Sequence, residues 1–235
     1  NMEDTLAALE GGCDALAFAS GMAATHCVTM LLSAGDHIVA GTDIYGGTYR
    51  LFHKICNRAG IEITLVDASQ PANVAKGIQN NTKLVWIESP GNPLLSITDI
   101  KSCADIAKQA GVLIGIDNTF ASPVLTRPLE LGIDIVMHSA TKYLGGHSDA
   151  LGGALVVKDP DLREKLYFIQ NATGNCMSPL DSFLISRGMK TLDLRVPAQS
   201  ESAMSIAKYL DDDPRISRVL YPGLPAFPGH SIAAQ

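Results

Sequence analysis

The stretch HSATKYLGGHSDALGG, residues 138–153, sets one lysine, Lys142, among small and hydroxyl-bearing residues directly after the apolar run GIDIVM. A lysine on a solvated face usually has other charges for neighbours, whereas Lys142 is flanked by Thr141, Tyr143 and a glycine pair. An amine in that setting is placed for covalent work on a carbonyl group.

Other positions are informative only in combination. In FASGMAATH, Gly21 sits at a strand-to-helix turn, either as a plain turn glycine or as a residue whose missing Cβ lets backbone N–H groups reach an anion. Asp117 in GIDNTF reads as a helix cap or as the partner of a cationic ligand. Tyr45 in TDIYGGTYR is a half-buried packing residue or a ring laid flat on a planar cofactor. Asn92 in ESPGNPLL, between Pro90 and Pro93, is a turn residue or a rigidly held amide. Ser139 and Thr141 serve a phosphate or their own backbone. His138 and His147 lack metal-ligand spacing and read as structural. Together, a lysine for an imine, an acid for a pyridinium nitrogen, a glycine-led helix start, two hydroxyls for a phosphate and an aromatic ring specify a pyridoxal 5′-phosphate (PLP) site.

The chain around these residues reads as α/β. Short apolar runs (ALAFAS, HIVAGT, EITLVDA, KLVWIESP, GVLIGIDN, IDIVMHSA, GGALVV) alternate with helix-length segments, the mark of a mainly parallel sheet buried on both faces. Ligands collect at the carboxyl ends of such strands, where Gly21, Tyr45, Asn92, Asp117 and Lys142 all fall. NMEDTLAALEGG reads as a helix already in progress that stops at Gly11 and Gly12, with residues preceding Asn1 expected. After residue 160 the pattern turns helical, and the run around 180–210 reads as one long bridge into a second domain that residue 235 leaves incomplete. We divide the chain into a cofactor-binding large domain, 1–190, and an interdomain helix with the start of a smaller C-terminal α/β domain, 191–235.

Composition narrows the partners. Eighteen Lys and Arg against 24 Asp and Glu, a net charge of -6, lack the basic surface that nucleic-acid binding requires. No apolar run approaches a membrane span. Five scattered cysteines without CxxC pairs suggest neither a disulfide framework nor a zinc site, and point to a reducing, cytoplasmic compartment.

The segment DIVMHSATKYLGGHSD resembles the lysine signature of the Cys/Met-metabolism PLP enzymes, and SGMAA, YGGTYR, WIESPGNP, DNTFASP, RPLELGID, SRGMKTLDLR and VLYPGLP follow in that family's order. The resemblance implies an aspartate-aminotransferase-like (fold type I) large domain with a mainly parallel seven-stranded sheet. It also implies roles: Lys142 binds PLP covalently and carries protons, and Asp117 keeps the ring nitrogen protonated. Tyr45 stacks on the ring and helps to deprotonate the substrate amine, and Asn92 contacts the ring hydroxyl. Gly21, Met22, Ser139 and Thr141 hold the phosphate. No metal is implied. An amine buried against a pyridinium is expected to be neutral near pH 7. The family's partner-subunit phosphate ligands precede the segment aligned to Asn1, and its substrate-carboxylate arginine follows that aligned to Gln235. A homotetramer of catalytic dimers and an amino-acid substrate are implied.

The expected reaction is γ-elimination of cystathionine to cysteine, 2-oxobutyrate and ammonia. Behind it stand γ-replacement on an O-acyl-homoserine, then methionine γ-elimination or O-acetylhomoserine sulfhydrylation, and, outside catalysis, an inactive PLP-binding paralogue. Methionine-cleaving relatives typically carry cysteine two residues after the stacking tyrosine, where this chain has Gly47.

Overall fold

The computed structural model describes residues 1–235. Every apolar run read as a strand is one: β1 Asp14–Phe18, β2 His37–Gly41, β3 Glu62–Val66, β4 Thr82–Glu88, β5 Leu113–Asp117, β6 Ile135–His138 and β7 Gly153–Val157. They form one seven-stranded sheet in the order β1-β7-β6-β5-β4-β2-β3. β7 runs antiparallel to both of its neighbours, β1 and β6. The other pairings are parallel. A parallel return needs a crossover of about a dozen residues or more, usually helical. Residues 139–152, which join β6 to β7, are turns and bends without a helix, so the chain reverses there and carries Lys142 on the reversal.

The helices are α1 Met2–Glu10, α2 Gly21–Thr29, α3 Gly46–Arg50 (continued by a π-helical stretch, Leu51–Cys56), α4 Pro71–Gly77, α5 Ile100–Gln109, α6 Ser122–Leu125, α7 Pro160–Thr173, α8 Pro179–Met189, α9 Leu192–Asp211 and α10 His230–Ala233. Local chemistry sets their ends. Gly11 ends α1 in the left-handed region (φ 72°), its N–H bonded to Ala7 O. The Ser20 side chain caps α2 by accepting from Ala23 N, and Asp159 followed by Pro160 starts α7. None of these helices is long and apolar enough to cross a membrane.

Alternate strand residues feed two apolar layers. Val85, Ile87, Ile114, Ile116, Val136 and Val156 pack on one face with Leu6 and Leu192. Leu84, Trp86, Ile135, Met137 and Leu155 pack on the other with Val28 and Phe52. Fully burying a side chain of this size stabilises by about 1.5–3 kcal/mol. Trp86 is edge-on to Phe52 at 6.2 Å and lies over Gly115, where a Cβ would come within 2.8 Å of its ring.

The run read as one long helix around 180–210 is instead two, α8 and α9, parted at Lys190–Thr191. The close seating of α8 accompanies the break: a Cβ on Gly188 would lie 2.1 Å from Gly145 O, so the helix backbone rests on the turn that carries Lys142. Residues 191–235 add α9, a run of turns and α10, but no strand. Ala207, Leu224 and Phe227 close a small third cluster around Ile97.

Gly153 opens β7 opposite Phe18, and a Cβ there would stand 2.2 Å from Ser20 O and 2.6 Å from Gly21 N. Gly153→Ala is therefore expected to push the start of α2 off the sheet and to lower stability by about 1–3 kcal/mol, the usual cost of overpacking. Denaturant midpoints measure this; an unchanged midpoint would refute the close approach.

Candidate active site

The ends of β1, β2, β4, β5 and β6 fall along one edge of the sheet, as parallel pairing requires of strands pointing the same way. β1 delivers Gly21 and Met22, β2 delivers Asp43 and Tyr45, and β4 delivers Glu88 and then Asn92. β5 ends on Asp117, and β6 leads to Ser139, Thr141 and Lys142.

Contacts link most of these residues into a closed ring at the strand ends. Gly21 lies against Ser139, close enough that a Cβ would be 3.1 Å from Ser139 Cβ and 3.4 Å from its Oγ. Met22 and Tyr45 converge over Gly47, where a Cβ would meet Tyr45 Cε1 at 2.3 Å and Met22 Sδ at 2.8 Å. Tyr45 N donates to Glu88 Oε2 at 2.7 Å. Glu88 is the register partner of Asp117 on the neighbouring strand. Asp117 Oδ1 accepts from Thr119 Oγ1 at 2.5 Å and from Thr119 N at 3.0 Å. Thr119 Oγ1 in turn accepts from Ser139 N at 2.8 Å and returns the ring to its start.

Lys142 belongs to the turn just beyond Ser139. Its N–H donates to Ser139 O at 3.0 Å, and its carbonyl accepts from Gly146 N at 2.7 Å. Its side chain is exposed. The sequence reading placed this amine against a pyridinium; the protein's own apolar layers leave it uncovered.

Thr141 does what its local-bond alternative anticipated. Its hydroxyl donates to Gly152 O at 3.2 Å and accepts from Gly152 N at 3.1 Å, fastening the two ends of the reversal together. Because Ser20 caps Ala23 N, the Gly21 and Met22 N–H groups at the start of the nine-residue helix α2 have no partner within it. Tyr45 is 45% exposed, with one edge of its ring beside Gly47. Asn92 follows Glu88 in a loop held from Asp43, whose Oδ1 accepts from Leu94 N at 3.3 Å and Oδ2 from Ser96 N at 3.1 Å.

The strand ends at the base of this ring are acidic and buried. Glu88 is 8% and Asp117 6% exposed. Burial pushes the Glu88 carboxyl up to about 9, and the neighbouring Asp117 and Asp43 charges add to the rise against the Tyr45 N–H bond. Asp117 is also raised by burial, opposed by its two bonds from Thr119 and by nearby His138. Such a pair favours one shared proton or an incoming cation.

Sequence reasoning passed over several of these residues. Glu88 and Thr119 lay inside quoted strings, yet their partners are 43 and 20 residues away. His138, read as structural, has a buried carboxylate partner 128 residues distant, with Nε2 2.6 Å from Glu10 Oε1. The same Glu10 oxygen accepts from Asn118 Nδ2 at 2.9 Å, bracing the segments that follow β5 and β6 from behind.

A family model described as "Cys/Met metabolism PLP-dependent enzyme" matches residues 1–235. A cystathionine gamma-lyase of Bacillus subtilis is 51% identical over 99% of this chain and 61% of its own length. A cystathionine beta-lyase of Coxiella burnetii (98% of this chain, 60% of its own) and a cystathionine gamma-synthase of Mycobacterium bovis (100% and 61%) are each 49% identical. The crystal structure of a cystathionine gamma-lyase from Lactobacillus plantarum, complexed with L-serine, superposes with a TM-score of 0.98 at 48% identity, over all of this chain and 61% of that one. The chain thus spans about three fifths of the length of these relatives.

The acid pair makes stability depend on pH in a definite direction. In the unfolded chain Glu88 releases its proton in the ordinary carboxylate range, whereas the folded site keeps it to about pH 9. Folded stability therefore falls across that window as pH rises. Glu88→Gln has no proton to lose. Relative to wild type, the cofactor-free variant should gain stability steadily from about pH 5 to about pH 9. Urea midpoints at the two ends check this, and parallel curves would contradict it.

Proposed function

The chain belongs to the Cys/Met metabolism PLP-dependent enzyme family, and from that premise we propose that the protein binds PLP in the ring of contacts around the strand ends and splits L-cystathionine by γ-elimination. The observation that carries the reading is the desolvated pair Asp117 and Glu88, side by side at the ends of β5 and β4, with the exposed Lys142 on the turn that follows β6.

The residues suit the group. A buried acid with a raised pKa accepts the N–H of a pyridinium, whose positive charge relieves the repulsion with Glu88. Gly21 leaves the space of a missing Cβ beside Ser139, and the uncommitted N–H groups at the start of α2 suit a phosphate, favoured also by the helix dipole. The exposed Tyr45 ring offers a stacking face, Asn92 an amide for the ring hydroxyl, and Ser139 a hydroxyl. Thr141 contributes by fixing the reversal, and it reaches a phosphate only by turning its proton from Gly152 O. When bound, PLP supplies an electron-withdrawing ring that stabilises negative charge at the substrate Cα.

The remaining work belongs to side chains. Lys142 would hold the cofactor through its amine, and the same amine would take the Cα proton of the substrate. Tyr45 accepts a proton from the substrate ammonium. Loss of a further proton at Cβ expels the γ-sulfur as a thiolate, which on protonation is cysteine. Hydrolysis of the remaining four-carbon fragment gives 2-oxobutyrate and ammonia. Gly47, at the position where methionine-cleaving relatives typically carry cysteine, favours cystathionine over methionine.

Assembly follows the same reading: a homotetramer of catalytic dimers, whose partner subunits complete the phosphate pocket. Exposed Phe168, Leu180, Phe183 and Leu194 on α7, α8 and α9 supply apolar surface for subunit contacts. We assign residues 1–190 to the cofactor domain, 191–235 to the beginning of a smaller C-terminal domain, and the protein to the cytoplasm.

Two measurements test the proposal. Wild type with PLP should show a near-visible absorbance band that borohydride abolishes. Lys142→Ala should lack that borohydride-sensitive band and lose at least about 10³-fold in kcat; a variant that keeps the band removes Lys142 from its role. Products from cystathionine decide the reaction: cysteine and 2-oxobutyrate in equal amounts support γ-elimination. Pyruvate with homocysteine would mean β-elimination, and cystathionine formed from O-succinylhomoserine and cysteine, without cleavage, would mean γ-replacement.

A further inference from the structure

β2 and β4 are adjacent parallel strands, and the loops leaving them carry Tyr45 and Asn92. Neither loop is regular over these residues, and the second includes Leu95 at φ 57°, a conformation costly for a side chain of that size. The second loop has two backbone bonds of its own, Gly91 N to Ser96 O at 2.9 Å and Leu95 N to Gly91 O at 3.1 Å, and each loop is also held from the other. Asp43, on the loop of Tyr45, accepts from Leu94 N and Ser96 N on the loop of Asn92. Glu88, at the root of the Asn92 loop, accepts from Tyr45 N. The two loops are also in backbone contact, since a Cβ on Gly91 would lie 2.6 Å from both Asp43 O and Asp43 Oδ2.

We infer that Asp43 and Glu88 are reciprocal positioning residues: each carboxyl group stands on the loop bearing one cofactor-facing side chain and clamps the backbone of the loop bearing the other. The spacing between Tyr45 and Asn92 is then a property of the crossed pair rather than of either loop. This rests on the reading of Tyr45 and Asn92 as cofactor contacts; the clamps themselves do not.

The two clamps differ in what they require. Glu88 needs an acceptor oxygen and volume, because its bond to Tyr45 N uses one oxygen while the rest of the group faces Asp117. A glutamine supplies both, whereas a methionine supplies volume alone. Asp43 uses both oxygens, one for each N–H, so alanine removes the whole clamp.

The test uses the full natural chain carrying these residues, with amide hydrogen exchange read by mass spectrometry before PLP is added. In Glu88→Met the peptide covering residues 43–49 should exchange about tenfold faster, as the loss of one good hydrogen bond predicts. Glu88→Gln should restore the slow exchange. In Asp43→Ala the acceleration should appear instead at the amides of Leu94 and Ser96. With PLP bound, Glu88→Met and Asp43→Ala should alter the visible circular dichroism of the cofactor and lower kcat on the order of 10- to 100-fold, the scale of small misplacements. Glu88→Gln should recover most of both.

Unchanged exchange in the opposite loop overturns the inference, as does a Glu88→Gln protein that exchanges as fast as Glu88→Met. A wild type that takes up no PLP would defeat the proposed function instead, while the exchange measurements would still decide the clamps.

Discussion

The pairing of β4 with β5 puts Glu88 directly beside Asp117 at the ends of two buried strands, and most of the site answers to that one register. Two carboxyl groups there cannot both be charged cheaply, because burial and mutual repulsion act in the same direction. The fold tolerates the pair by spending hydrogen bonds on it, two from Thr119 to Asp117 and one from Tyr45 to Glu88. Those bonds tie the loops together. A cation beside the pair relieves the repulsion, so the electrostatic tension between the two acids and the affinity proposed for a pyridinium have the same origin.

Much of this was readable from residue order, and the reason is local. β2, β4, β6 and β7 are buried nearly throughout, so their sequences are uninterrupted apolar runs, and all seven strands stood out. The stop of α1 at Gly11 and the cap of α2 at Ser20 depend on residues within one turn. The break between α8 and α9 was not readable, because the run stays helical in character on both sides and the close contact that accompanies it, Gly188 on Gly145, comes from the reversal some 40 residues earlier.

Among the site residues, the ones proposed to face the cofactor were legible by type, and the ones that hold them were not. Lys142, Tyr45 and Asp117 are unusual in their settings. Glu88, Asp43, Thr119 and Glu10 look like ordinary strand-end or helix residues until the fold brings distant backbone to them. Thr141 shows the converse: its type suits a phosphate, yet its hydroxyl is occupied in bridging to Gly152. Relatives bearing three different reaction names are about equally similar to this chain, as expected if the shared residues make the common machinery and the choice of bond cleaved depends on positions that differ.

The edge pairing of β1 with β7 has a consequence for biosynthesis. It joins residues 14–18 to 153–157, so a nascent chain has β1 and α2 in hand long before β7 emerges to cover them. Phe18, fully buried in the finished sheet, must wait through the synthesis of some 135 intervening residues, an interval in which exposed apolar surface invites aggregation. Contacts of such long range also make for slow closure. The helix start proposed to receive a phosphate is thus translated well before the strand that backs it.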